Sequence, residues 1–399
     1  MRLLVTADAV GGVWRYALTL AACWAENGVH TSLAVLGPAP DPAQIREAAA
    51  IPALRLLSTG LPLDWTAPDA ATSRQTAVSL AGIAAREGVD GVQLHAPALV
   101  GDAAWPVPVV TAVHSCLLTW WRTMRPDQEL PADFGWRVAE SAAGLRHADA
   151  AFAPSRSFAA AVTEAYALPA PLPTILNGRL PLPAPSWAAV GRPRAALCAG
   201  RFWDEGKDAR TLDDAAARLD APVLAAGSWR GPNGAGFDPA ALRSLGSLNE
   251  AGLAEAFATV RVFVSAARYE PFGLSVLEAA QAGCALVLSD IPSFRELWDG
   301  AARFVPPGDV AGFAREMAAA LADPAALAEA ARKRAARYRA ATMAAETLAL
   351  HRTLQPAAIR VGGHRAPDGA DRRASPTGPF PPGGLSSGHE RPGTVPPAP

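Results

Sequence analysis

Apolar and polar positions along the chain alternate between two rhythms. Short apolar runs at Leu3 to Val5, Thr31 to Leu36, Leu54 to Leu57, Gly91 to Leu94 and Val109 to Val113 predict buried strands. Between them, Val13 to Glu26 and Ala71 to Glu87 carry apolar residues at helical spacing, with Gly28 and Gly88 just past their ends as breakers. A second series repeats the scheme at Ala195 to Ala199, Val223 to Ala226, Leu242 to Leu245, Val260 to Val264, Ala285 to Leu288 and Arg303 to Val305. Strands alternating with helices imply right-handed crossovers and parallel sheets covered on both faces, with ligands at the carboxyl ends of the strands. Pro181, Pro183, Pro185 and Pro193 make the segment between the two series an extended linker. A closing helical pattern from Pro324 to Leu354 is interrupted near Tyr338 to Thr342.

Length turns this alternation into two domains, because 399 residues exceed what one core serves and half of them are hydrophobic. Beyond Gln355 the pattern collapses into 10 Pro and 8 Gly among 44 positions, which predicts a disordered tail with no binding motif of its own. A formal net charge of -1 argues against a nucleic-acid partner. Cys23, Cys116, Cys198 and Cys284 are scattered, with neither metal-ligand nor disulfide spacing, as expected of reduced, buried thiols. The chain opens directly on a strand, without the regions of a signal peptide, and no apolar run reaches spanning length. A cytoplasmic location is expected.

The most informative segment is Glu270-Pro271-Phe272-Gly273-Leu274-Ser275-Val276-Leu277-Glu278. A strand at Val262 to Val264 runs into it, and a helix follows that ends at Gly283, so a tight turn and a helix N-terminus stand between two carboxylates. Such a turn faces anions with its N–H groups, and ionised carboxylates beside it suit the hydroxyls of a sugar or ribose. Gly11-Gly12, His114, Asn177-Gly178, and Gly200-Arg201 with Lys207 occur before it, in order. Together these residues resemble the family 4 retaining glycosyltransferases of the GT-B fold over about residues 1 to 355.

The resemblance implies an α/β architecture of two doubly wound, Rossmann-like domains facing across a cleft, with a C-terminal helix crossing back to the first. The boundaries expected are 1–180 for the acceptor-side domain, 181–193 for the linker, 194–340 for the nucleotide-sugar domain, 341–355 for the crossing helix and 356–399 for the tail. It implies a sugar transferred from a nucleoside-diphosphate donor to an acceptor hydroxyl. Phosphate oxygens are expected on Arg201 and Lys207, whose charges take the place of a metal, since no acidic pair stands in a suitable loop and no cofactor is expected. Five residues separate Arg201 from Lys207, one more than the family pattern. Gly11 and Gly12 are expected to present N–H groups at a helix start, although positions 11 to 16 lack the full dinucleotide-binding glycine pattern. His114 is expected at the donor sugar, Glu270 against the transferred sugar with the N–H groups of Phe272 and Gly273, Leu274 and Ser275 on the distal phosphate, and Glu278 on the ribose. His95 also ends a strand, so position alone does not separate it from His114.

Trp120-Trp121 with Arg122 and Arg125 admits three readings: an acceptor surface, a membrane-surface contact, or ordinary packing. Two other functional readings stand beside transfer: a GT-B-fold epimerase or phosphorylase, and a non-catalytic sugar-nucleotide-binding protein.

Overall fold

The computed structural model describes residues 1–182, 192–231 and 234–355, so most of the expected linker and the whole expected tail lie outside the described residues. The first sheet holds β1 (Arg2–Asp8), β2 (His30–Leu36), β3 (Leu54–Ser58), β4 (Gly91–Leu94), β5 (Val109–Ala112) and β6 (Ala150–Phe152), in the order β3-β2-β1-β4-β5-β6. The second holds β7 (Ala196–Ala199), β8 (Val223–Ala226), β9 (Arg243–Gly246), β10 (Val262–Ser265), β11 (Ala285–Ser289) and β12 (Arg303–Val305), in the order β12-β11-β10-β7-β8-β9. Neighbouring strands are parallel throughout both sheets. Each order reverses once, between β1 and β4 and between β7 and β10, and at such a reversal adjacent loops diverge and leave a crevice.

The inner strands are apolar along their length because helices cover both faces. β4 and β11 are buried at every position. β9 is mostly exposed and starts at Arg243 rather than Leu242, as an edge strand pairs and packs on one side alone.

The closing helical pattern splits where the sequence breaks it. Helix Ala325–Ala335 stays with the second sheet, and helix Ala340–Thr353 packs against helix Gly12–Ala25 of the first half. Met343 and Leu348 are buried there beside Trp24, whose Nε1 donates to the Ala344 carbonyl at 3.0 Å. Burial of Met343 and Leu348 is worth about 2 kcal/mol each. Gly178 permits the crossing: a Cβ there would lie 2.3 Å from the Arg339 carbonyl oxygen. No helix among the described residues is long and apolar enough to cross a membrane.

Candidate active site

The loops at both reversal points border one cavity of about 520 Å³ between the halves. From β1, Asp8 Oδ1 accepts the N–H groups of Val10 and Gly11 at 2.7 and 2.8 Å, which folds the loop back and starts helix Gly12–Ala25. Opposite, the loop after β7 carries Arg201 and Lys207. A Cβ on Gly11 would lie 3.6 Å from Arg201 Nη1 and one on Gly12 3.6 Å from Leu274 Cδ1, so the glycine loop sits directly across from both.

The extra residue between Arg201 and Lys207 is taken up by a 3₁₀ turn, Glu205–Lys207. Asp204 anchors the turn, accepting from the Gly206 N–H at 2.9 Å and from Arg201 Nη2 at 3.3 Å. The Gly206 carbonyl accepts the N–H groups of Arg268 and Tyr269, tying this loop to the one after β10. Lys207 Nζ thereby reaches Glu270 Oε2 at 2.5 Å. Glu270 Oε1 accepts the Gly273 N–H at 3.0 Å. Gly273 has φ +86°, which turns the chain sharply into helix Leu274–Gln281. Phe272 borders the cavity, and its ring packs edge-on to Tyr338 in the core. Leu274 and Ser275 line the cavity at the helix start.

Glu278 lies one helical stretch deeper, also bordering the cavity, and accepts from Arg179 Nε at 2.8 Å. Burial raises its pKa, against the pull of Arg179. Arg179 donates also to Thr19 Oγ1 at 3.1 Å and to Glu250, so one guanidinium holds groups from both halves. Sequence reasoning passed over Arg179, although it directly follows Asn177-Gly178. Asn177 lines the cavity with its Oδ1 unpartnered in the protein.

His114 and His95 both face the cavity, packed edge-on with Tyr16 at ring separations of 4.4 and 5.1 Å and with each other at 5.0 Å. Desolvation holds the His114 pKa down at about 4 and that of His95 well below its ordinary value, so both are neutral near pH 7. Gln93 Nε2 lies 3.0 Å from His95 Nε2, and Gln93 Oε1 lies 3.2 Å from His351 Nε2 on the crossing helix.

The Trp pair belongs to packing. Trp120 and Trp121 are 1% and 9% exposed on helix Leu117–Met124. Arg125 lies over the Trp120 ring at 5.7 Å, and Trp121 Nε1 donates to the Gln128 carbonyl. A membrane-surface contact through these rings is therefore corrected: their apolar faces are already covered. Arg122 is exposed.

Residues 10–179 match the family described as Glycosyltransferase Family 4, and residues 193–323 match Glycosyl transferases group 1. The chain belongs to the family 4 glycosyltransferases. Solved structures agree with this glycosyltransferase in fold. Sucrose-phosphate synthase from Thermosynechococcus elongatus superposes with a TM-score of 0.70 at 18% identity, over 89% of this chain and 99% of that one. Alr3699/HepE of Anabaena, solved in complex with UDP and glucose, gives 0.63 at 15%, over 88% and 99%. A glycosyltransferase from Rickettsia africae gives 0.63 at 15%, over 88% and 98%. These likenesses extend over both halves, and the architecture is GT-B. No curated protein matches the chain in sequence.

Proposed function

We propose that this glycosyltransferase takes a hexosyl unit from a nucleoside-diphosphate sugar and places it on an acceptor hydroxyl, with retention and without a metal ion. The observation that carries the reading is the convergence of Arg201, Lys207 and the start of helix Leu274–Gln281 on the cavity that Gly11 and Gly12 border from the other half. Two cations and a helix N-terminus can take up the charge that grows on a departing diphosphate. Lys207 rests on Glu270 and would be shared with the phosphate when the donor binds.

The remaining roles follow from position. Glu270, fixed by Lys207 and the Gly273 N–H, would meet the transferred sugar. His114, kept neutral, would hydrogen-bond that sugar without adding charge beside an anomeric carbon that turns positive. Glu278, oriented by Arg179 through Oε1, would accept from the ribose through Oε2. Retention follows from the family resemblance. A cytoplasmic location suits the four buried cysteines, none of which is in a disulfide.

UDP is the nucleotide to test first, since Alr3699/HepE was solved with it. Calorimetry should show UDP, GDP or ADP binding with EDTA present, and the matching donor should lose its sugar to water or acceptor. Binding of none of the three would sink the reading; binding without turnover of any donor would favour the non-catalytic alternative.

A further inference from the structure

The acceptor side of the cavity has its own chemistry. Asp64 and Trp65 stand in the turn Leu63 to Ala67, beyond the carboxyl end of β3, and both line the cavity. The turn is closed by the Thr66 and Ala67 N–H groups on the Leu63 carbonyl, at 3.1 and 2.9 Å, and by the Leu63 N–H on Thr66 Oγ1 at 3.1 Å. Arg137 clamps it from helix Ala132–His147, donating to the carbonyls of Ala67 at 2.6 Å and Trp65 at 3.4 Å. The same guanidinium lies 4.2 Å from the centre of the Trp136 ring. Arg137 thus fixes the turn through Nη2, and its charge lies beside Asp64.

The other first-half cation bordering the cavity, Arg15, is paired with Glu47 and lies 3.4 Å from Glu250. Two carboxylates, Asp64 and Asp8, border the same side of the cavity. His95 adds an independent mark of a ligand. It is 9% exposed and its Nδ1 has no protein partner, while Nε2 faces the Gln93 amide nitrogen. With Nε2 accepting from that amide, Nδ1 carries the proton and requires an oxygen.

We propose, building on the glycosyl-transfer reading, that the acceptor is an uncharged polyhydroxylated molecule, a free sugar or polyol, whose hydroxyls donate to Asp64 and Asp8 and whose ring packs against Trp65. An anionic acceptor would meet two carboxylates, with Arg15 already paired to Glu47 and the Arg137 charge already set beside Asp64. Hydroxyl groups satisfy the same carboxylates with charge-assisted bonds. Burial, and less strongly the neighbouring Asp8, push the Asp64 pKa up to about 6 against the pull of backbone N–H groups and Arg137.

The test is saturation-transfer NMR on the full chain with UDP present. The probes are glucose, fructose, mannose and inositol, set against the 6-phosphates of the three hexoses. At least one uncharged compound should bind, and each 6-phosphate should bind roughly tenfold more weakly than its parent hexose or not at all. Asp64→Asn, which keeps the shape of the turn, should weaken the bound sugar by about ten- to a hundredfold while leaving UDP affinity unchanged. A 6-phosphate that binds more tightly than its parent, an Asp64→Asn variant that binds sugar normally, or silence from every uncharged compound overturns the proposal. The comparison of wild-type affinities needs no variant. Failure of the donor reading looks different: UDP would not bind, and the sugar panel would still be read on the nucleotide-free protein.

Discussion

Replacing Glu278 by Gln separates its part in holding the fold from its part in holding the donor. In the wild type a carboxylate with 7% side-chain exposure meets an Arg179 side chain with 5%. Losing one partner of a buried pair outright costs about 3–5 kcal/mol. Gln keeps an acceptor oxygen for Arg179 Nε, and Arg179 keeps Glu250 and Thr19, so the loss shrinks to the charge-assisted share of one bond, about 1.5–3 kcal/mol. For a half of this size each kcal/mol moves Tm by about 2–4 °C, giving an expected fall of about 3–12 °C. Arg179→Met should do worse, reaching the full about 3–5 kcal/mol, because two carboxylates lose their shared cation. Glu270→Gln is the control: the pair with Lys207 has 17% and 20% side-chain exposure, so unfolding should change by about 1 kcal/mol or less. Urea and thermal unfolding of the three variants give the ranking, and calorimetry with UDP gives the second reading, in which Glu278→Gln weakens the nucleotide. A Glu278→Gln variant as stable as wild type, or less stable than Arg179→Met, would refute the view that Arg179 is the shared centre of this cluster.

Glu270→Gln should lower kcat while binding UDP as tightly as wild type or a few-fold more tightly, since Lys207 no longer has a carboxylate competing with phosphate; weaker UDP binding would reverse the assignment. Arg201→Ala should lower turnover by about a hundredfold or more in an assay that EDTA leaves unchanged; abolition by EDTA with rescue by Mn²⁺ would overturn the metal-free reading. Gly178→Ala should destabilise by about 3 kcal/mol or more, through a Cβ driven against the Arg339 carbonyl, measured as urea unfolding of the full chain. Asp64 has its folded pKa raised to about 6 from 3.8, chiefly by burial, with Asp8 adding to the rise and Arg137 opposing it. Its folded state therefore holds a proton that the unfolded chain has released, and stability is lost as pH rises through that window. Asp64→Asn should accordingly gain Tm over wild type at pH 7.5 and little at pH 4.5; an equal gain at both would contradict the shift.

Both sheets were legible because their central strands are uninterrupted apolar runs, such as Val262 to Val264 and Ala285 to Leu288, bounded by helix-ending glycines. β6 escaped because Ala150–Phe152 is too short to show a period, and helix Ala132–His147 because its apolar stripe is weak, with Phe134, Glu140 and Gly144 as its buried positions. In the site, residues bound to short motifs were readable: Glu270, Gly273 and Leu274 are close in sequence and form one turn. Arg179 and Arg137 were not. Arg179 acts on Glu278, 99 positions away, and Arg137 on Ala67, 70 positions away, so nothing near either marks what it holds. The Trp pair stayed open among three readings for the converse reason, since two adjacent tryptophans look alike whether a helix turns them inward or outward.

The chain passes between its halves twice, and Gly178 and Arg179, just before the first passage, lie beside the second. The Arg179 N–H donates to the Tyr338 carbonyl at 3.4 Å, and Gly178 abuts Arg339. Two connections a single bond apart behave as one axle: the halves can swing about it, but neither can slide off it. Any swing that widens the cleft must then break bonds set away from the axle. These include Tyr269 Oη to the Cys116 carbonyl at 3.2 Å, Ser155 Oγ to the Pro271 carbonyl at 2.7 Å, and Glu296 on the N–H groups of Arg156 and Ser157 at 2.9 and 2.7 Å. Each is worth about 0.5–3 kcal/mol in water, and they act together with the Tyr269 ring, which packs edge-on to Phe158 at 6.2 Å. One of those bonds grips the Pro-Phe-Gly turn itself, so a swing that opens the cleft also releases the turn that carries Glu270.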